Sequence, residues 1–418
     1  MKLLLINPNR YRTPPVPPLA LEYLENALRF SRHECRVLDL CFADDPLEAI
    51  DSEIDSFSPD IAGITVRNID TVIYDNNVFF LDDMKPLVKR IKENGILVVI
   101  GGSGFSFSPK GVLEYLGGDW GVTGPGEKAL VHILDCCETE PPSTGTIFDG
   151  REFGFDPDMP VMRGDSIKYG QYIDEGGLAG FETQKGCMER CFYCSEGSSA
   201  VVFRNPERIV EELKTLTHRG ITGFHLCDTE FNQDLDFCHT FLEMLIAKGP
   251  VISWAVYMKS SPYDDELFRL LKKSGANFVT LSIPTGSNSL EHAGKICWLA
   301  KKYNIKLAVD LLLGFPGETA ESVKRTIDYM RKIRPDTIGV NTTFRLYTEM
   351  GMTREILASP RYSENLTGSV KDNPGLVRPV FYNHITVDTL REIIGDDPLF
   401  RIEGFERTSN YQRVKTKK

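Results

Sequence analysis

Apolar residues follow two alternating rhythms along this chain. Short, nearly continuous runs such as "KLLLIN", "IAGITV" and "ILVVIGG" have the length of buried strands, and stretches with apolar positions three and four apart lie between them. From the N-terminus the pattern reads strand "KLLLIN", helix "PLALEYLENALRF", strand "CRVLDL", helix "PLEAIDSEIDSF", strand "IAGITV", helix "DMKPLVKRIKENG", strand "ILVVIGG", strand "WGVTG" and helix "GEKALVHILDCC". Strands buried on both faces that alternate with amphipathic helices build a parallel sheet covered by helices. The class is α/β, and residues 1–138 are expected to form a five-stranded, doubly wound, Rossmann-like domain. Ligands of such sheets sit over the strand C-termini at the switch point. Each strand end here carries a loop of Gly, Pro, Ser or Asn: "NPNRYRTPPVPP", "VRNIDT", "GGSGFSFSP" and "GPGE".

Residues 139–180 are rich in Pro, Gly and Asp and read as an interdomain linker without a fold of its own. From Phe181 the β/α rhythm resumes. Strands "FETQKG", "ITGFHLCD", "VISWAVYM", "NFVTLSIP", "KLAVDLLLG" and "DTIGVNTTFRLY" alternate with helices, giving six β/α steps to residue 347. The helix "PERIVEELKTLTHRG" shows the punctuation, with Pro206 in its first turn and Gly220 at its stop. Residues 348–418 have weak periodicity until "TVDTLREIIG". Their β-like "RPVFYNHI", with Phe381, Tyr382 and His384, reads either as a packing strand or as a cap that touches substrate.

The formal net charge of −11 argues against broad binding to nucleic acid or to an anionic membrane. The basic end "RVKTKK" is short and reads as a solvated tail. No apolar run approaches the length of a membrane span, and "MKLLLINPN" is broken too early to be a secretory signal. A cytoplasmic chain keeps its thiols reduced, so ten cysteines are not expected to be a disulfide framework. Cys35, Cys41, Cys136, Cys137, Cys227, Cys238 and Cys297 sit in or beside apolar runs, as small core residues do.

Cys187, Cys191 and Cys194 are different. They lie in "ETQKGCMERCFYCSEG", spaced Cx3Cx2C among Gly, Lys, Glu, Arg and Ser. A structural zinc site wants a fourth Cys or His at short spacing, and none follows. A 4Fe–4S cluster on three thiolates leaves one iron open to an external ligand. The spacing, with Tyr193 just before the last Cys, resembles the motif of the radical S-adenosylmethionine (SAM) enzymes. The resemblance implies a six-unit partial β/α barrel, a SAM amino group and carboxylate on the open iron, and one-electron cleavage of SAM to a 5′-deoxyadenosyl radical. It implies further SAM contacts at the strand ends: Tyr193, Asp228 or Glu230 in "CDTEFN" for the ammonium group, Ser282, Thr285 or Ser287 in "LSIPTGSN", and Gly314 and Gly317 in "GFPG".

The first domain has no GxGxxG after its first strand and no Walker loop. Placed before a SAM barrel, it resembles the cobalamin-binding domain of the cobalamin-dependent radical SAM enzymes. That resemblance implies that Arg67, Asn68, Gly102, Ser103, Gly104, Phe105, Gly124, Gly126 and Glu127 hold cobalamin. The DxHxxG motif is missing, so no imidazole is expected below cobalt. Arg67 reads either as a cation beneath the corrin or as a loop arginine that binds a ligand carboxamide, a phosphate or Asp70. The family implies methyl transfer from SAM by way of methylcobalamin to a carbon of a small molecule, with electrons from a donor such as flavodoxin or ferredoxin. A non-methylating rearrangement, transfer of another part of SAM, or a non-catalytic sensor are the alternatives.

Overall fold

The structure is a computed structural model describing residues 1–197, 199–284 and 289–402. The first sheet contains β1 (Lys2–Asn7), β2 (Glu34–Asp39), β3 (Ile61–Thr65), β4 (Leu97–Gly101), β5 (Trp120–Thr123) and β6 (Ile147–Asp149), in the order β2-β1-β3-β4-β5-β6. All neighbours are parallel. The order reverses between β1 and β3, so their C-terminal ends frame the crevice where a ligand of such a sheet lies. Leu3 to Ile6 and Ile61 to Ile64 carry no solvent-exposed side chain, as strands between two helical layers require. The helix Pro46–Phe57 begins where Asp45 accepts from the N–H groups of Leu47 and Glu48, with Pro46 in the first turn.

The sixth strand was not expected. β6 comes from the stretch read as linker and pairs with β5, Gly121 opposite Ile147. Three residues are too few to show a period, so only pairing reveals the strand.

The second sheet is an open barrel of seven parallel strands, β18-β14-β13-β12-β11-β10-β7. They are β7 (Ala179–Phe181), β10 (Gly223–Leu226), β11 (Ser253–Met258), β12 (Ala276–Pro284), β13 (Lys306–Leu312), β14 (Thr337–Asn341) and β18 (Phe400–Ile402). Trp254, Val256 and Met258 join the large core beneath the helices, while Ala255, Phe278 and Ala308 form a small cluster inside the barrel. Period-two alternation produces these two faces.

Three strand expectations are corrected. "FETQKG" is not one strand: β7 ends at Phe181, and Gln184–Lys185 (β8) pairs antiparallel with Val202–Phe203 (β9) at the base of the cysteine loop. "DTIGVNTTFRLY" divides after β14, because Asn341 Oδ1 accepts from the N–H and hydroxyl of Thr343 and turns the chain. Thr343–Arg345 (β15) then pairs with Phe381–Asn383 (β17), beside Leu366–Thr367 (β16). The C-terminal extension also supplies β18, the barrel's last strand.

Two buried ionic clusters join the domains. Arg163 donates to Gly180 O at 2.6 Å, to Glu212 Oε1 at 3.1 Å and to Glu22 of the first domain. Arg204 lies 2.9 Å from Glu212 Oε2, so two guanidinium groups face two carboxylates. On the other side Arg345 reaches Asp70 in the loop after β3. Phe344, Leu346, Met352 and Tyr382 share one hydrophobic core with the first domain's Leu4, Ile64 and Ile100. Among the described residues, no helix is long and apolar enough to cross a membrane.

Candidate active site

The chain leaves β7 into a buried turn. Asp228, just past β10, accepts from the N–H groups of Thr183 at 2.7 Å and Gln184 at 3.3 Å, and from the Thr183 hydroxyl. This brace carries the loop bearing Cys187, Cys191 and Cys194 to the C-terminal rim of the barrel. N–H donors are aimed at the sulfurs: Gln233 Nε2 lies 3.3 Å from Cys187 Sγ, and Glu196 N lies 3.3 Å from Cys194 Sγ. Such donors suit thiolates and are a means by which a protein tunes an iron–sulfur centre. No group of three His, Cys, Asp or Glu side chains among the described residues is placed to hold a metal ion. A four-iron cluster does not need that convergence, since each thiolate takes a different iron. Three clustered cysteines, two of them with an N–H donor on the sulfur, therefore fit a cluster with one open iron.

The strand-end acids separate by geometry. Asp228 is spent on the loop, and burial pushes its carboxyl up to about 7. Glu230 keeps one buried carboxylate oxygen without a partner, and burial pushes its carboxyl up to about 8, against the opposing charge of Lys259. Ser282 on β12 stands opposite Asp310 on β13. Thr285 and Ser287 lie outside the described residues. Gly314 and Gly317 both have φ +84°, which favours glycine, and Glu318 caps the turn by accepting from the N–H groups of Gly314 and Phe315. Tyr193 packs on Phe315 with ring centroids 5.4 Å apart, and Phe315 on Phe344 at 4.6 Å. Met352 N–H donates to Phe192 O at 2.9 Å, so the C-terminal extension grips the cysteine loop directly.

In the first domain, the loops after β3 and β4 interlock. Ser103 Oγ and Gly104 N both donate to Arg67 O. A Cβ on Gly102 would come within 2.6 Å of Val66 O, and one on Gly104 within 2.9 Å of Asn68. Both glycines are thus required for the close approach that carries Arg67 and Asn68 to the switch-point rim. Asp70, which the loop reading offered Arg67, takes Arg345 Nε, Val72 N and Asn77 Nδ2. Two further expectations change. Phe105 is fully buried and fills the space above Gly121, where a Cβ would meet its ring, so it is a core residue. Glu127 turns toward Lys185 of the barrel, 3.6 Å away. Gly124 donates its N–H to Ser106 Oγ, and the loop it shares with Gly126 is covered by Gly150, which packs against Pro125 O.

Composition and motif do not mark His225 and Tyr257, yet strand alternation could have found them. Phe224 and Leu226 lie in the helix-side core, as do Val256 and Met258, which leaves His225 and Tyr257 on the lumen side. Their rings are 5.5 Å apart. Burial, with a contribution from the Arg67 cation, pushes His225 down to about 4, so its imidazole is neutral at physiological pH. The end of β3 and the lumen of the barrel therefore face each other across the domain boundary.

Fold and site together define a two-domain enzyme, with a barrel that carries an iron–sulfur cluster set against a doubly wound ligand-binding domain. Residues 11–134 match the B12 binding domain family, and residues 181–330 match the Radical SAM superfamily. Tryptophan 2-C-methyltransferase of Streptomyces laurentii is 26% identical, over 84% of this chain and 74% of that one. The radical S-adenosylmethionine methyltransferase TsrM from Kitasatospora setae, solved with cobalamin and a 4Fe–4S cluster bound, superposes with TM-score 0.86 at 26% identity, covering 96% of this chain and 92% of that one. The same protein solved with tryptophan and a SAM analogue superposes with TM-score 0.88 at 25% identity, covering 98% and 93%. The chain thus joins a B12 binding domain to a Radical SAM domain, and over both it is similar to radical SAM methyltransferases.

Proposed function

We propose that this chain methylates a carbon of a small aromatic substrate related to tryptophan, taking the methyl group from SAM by way of cobalamin. The observation that carries this reading is the likeness to TsrM over both domains at once, cobalamin side and barrel side. The bound cluster, SAM and cobalamin supply the electron transfer, the activation of SAM and the methyl carrier.

The chain's own residues position them. Cys187, Cys191 and Cys194 hold the cluster, and Asp228 fixes the loop they stand on. Glu230, with its unpartnered oxygen, would accept from the SAM amino group. The Gly314–Gly317 turn and Ser282 border the rest of SAM, beside the Tyr193 and Phe315 rings. Residues 1–138, extended by β6, would hold cobalamin through the interlocked loops of Arg67, Asn68, Gly102, Ser103 and Gly104, with the Arg67 guanidinium available to the corrin as a cation that cannot ligate cobalt. Residues 181–347 hold SAM, and the extension from 348 closes the barrel and excludes water. His225 and Tyr257 line the lumen between the two reactive centres, where an aromatic substrate stacks. A flavodoxin- or ferredoxin-type donor in the cytoplasm supplies electrons.

The test is anaerobic incubation of the reconstituted protein with SAM, methylcobalamin, reductant and a panel of indoles and aromatic amino acids. Mass spectrometry should find S-adenosylhomocysteine together with a product heavier by one methyl group. Absence of both across the panel would remove the aromatic substrate, and S-adenosylhomocysteine formation restored by a different substrate class would redirect it.

A further inference from the structure

Gln233 stands in the loop after β10, with its side chain buried. Its amide is divided between two partners. Nε2 lies 3.3 Å from Cys187 Sγ, and Oε1 lies 3.4 Å from Lys259 Nζ. An ammonium group can only donate, so Lys259 dictates which end of the amide faces the lysine and leaves the NH2 group for the sulfur. Lys259 is itself held. Its N–H donates to Asn232 Oδ1 at 2.9 Å, its carbonyl accepts from Asn232 Nδ2 at 3.0 Å, and its Nζ pairs with Glu189 of the cysteine loop at 2.6 Å. Asn232 is fully buried and also donates to Pro262 O at 2.6 Å. The whole arrangement, built from the ends of β10 and β11, delivers one oriented N–H to one cysteine sulfur.

We propose that Gln233, oriented by Lys259, raises the reduction potential of the cluster and so sets how readily it accepts its electron. This rests on the reading that Cys187, Cys191 and Cys194 hold that cluster. In the step concerned, one electron passes from a low-potential one-electron donor to the cluster; no bond to the protein breaks and no proton is taken up. Negative charge on the thiolate sulfurs grows on reduction, and an N–H aimed at sulfur stabilises the reduced form more than the oxidised one. Lys259 acts twice, by orienting the amide and by neutralising Glu189, whose carboxylate would otherwise oppose reduction. Gln233 and Lys259 are positioning residues and need not touch substrate.

The test is a potentiometric titration of the reconstituted full-length protein, followed by electron paramagnetic resonance of the reduced cluster, for wild type, Gln233→Met and Lys259→Met. Met keeps the volume and removes the donor. Both variants should hold about four iron per chain and titrate at a more negative potential, Lys259→Met more so. A tenfold lower reduced-to-oxidised ratio at the wild-type midpoint corresponds to about 59 mV for one electron. An unchanged midpoint in Gln233→Met at full iron occupancy overturns the proposal. Should that variant fail to hold iron, Gln233→Leu takes its place: a lower midpoint supports the proposal and an unchanged one overturns it. Failure of the underlying reading is visible separately, as a wild-type protein whose iron content does not depend on the three cysteines, and it would overturn the proposal with it.

Discussion

Arg345 and Asp70 meet across the domain boundary, Nε 2.8 Å from Oδ2, with both side chains almost wholly buried. The rest of the guanidinium donates to the carbonyls of Leu346, Leu376 and Val377. One side chain thus ties the loop that carries Arg67 to the end of the barrel and to the C-terminal extension. Truncation to Arg345→Met would leave Asp70 as an uncompensated buried charge, which costs roughly 3–5 kcal/mol. Arg345→Lys should rescue little, because a lysine cannot reproduce the planar fork. Chemical denaturation followed by circular dichroism should show both losses, and a Lys variant as stable as wild type would contradict the account.

Cys191→Ala removes a thiolate from a site with no spare ligand at short spacing. Iron content and the brown absorbance of the reconstituted protein should collapse, and methylated product with them. Secondary structure should be retained, since Cys191 makes no long-range packing contribution to either large core. Product formed at an undiminished rate would refute the cluster assignment.

Glu230 should report SAM binding through its proton. Without ligand its carboxyl is pushed up to about 8, so it is largely protonated near neutral pH. An amino group that donates to Glu230 favours the carboxylate, so binding expels the Glu230 proton and SAM affinity should rise toward pH 8 and level off above it. Calorimetry at neutral pH, in buffers of different ionisation enthalpy, should register release of about one proton. Glu230→Gln should lower that release and weaken SAM by roughly tenfold or more, as expected for losing a hydrogen bond to a charged group of ~1.5–3 kcal/mol. Unaltered proton release in the variant would transfer the role elsewhere.

Arg67→Lys separates holding cobalamin from tuning it. The loop contacts around residue 67 use its carbonyl, which the substitution leaves in place. If Arg67 serves the corrin's lower face, cobalamin occupancy by absorbance should persist while methyl transfer slows, because its planar fork is lost. The Co(II) form of the wild type should show no nitrogen superhyperfine splitting from an axial ligand. Splitting from a protein nitrogen, or loss of cobalamin in the variant, would end the lower-face role.

Much of this protein is determined by local sequence. The cysteine spacing specifies the cluster loop because three thiolates within eight residues have few other uses in a reducing compartment. The β/α rhythm specifies both sheets because strands buried on two faces and helices buried on one leave different periods. The glycines at 102 and 104 were visible as a loop, and they prove to be packing glycines between β3 and β4. Tertiary structure alone decided the rest. β6 and β18 are three residues each, too short for a period, and exist only through their pairing with β5 and β14. "CDTEFN" contains two acids of equal claim, and only the bonds from Thr183 and Gln184 separate Asp228, which braces, from Glu230, which keeps an unpartnered oxygen. Phe105 sits in a loop of ligand-binding composition but faces inward above Gly121. Gln233, Lys259 and Arg345 acquire meaning only from partners between 26 and 275 residues away, because a hydrogen bond or buried ion pair is set by where the fold brings two groups and leaves no pattern in either segment alone.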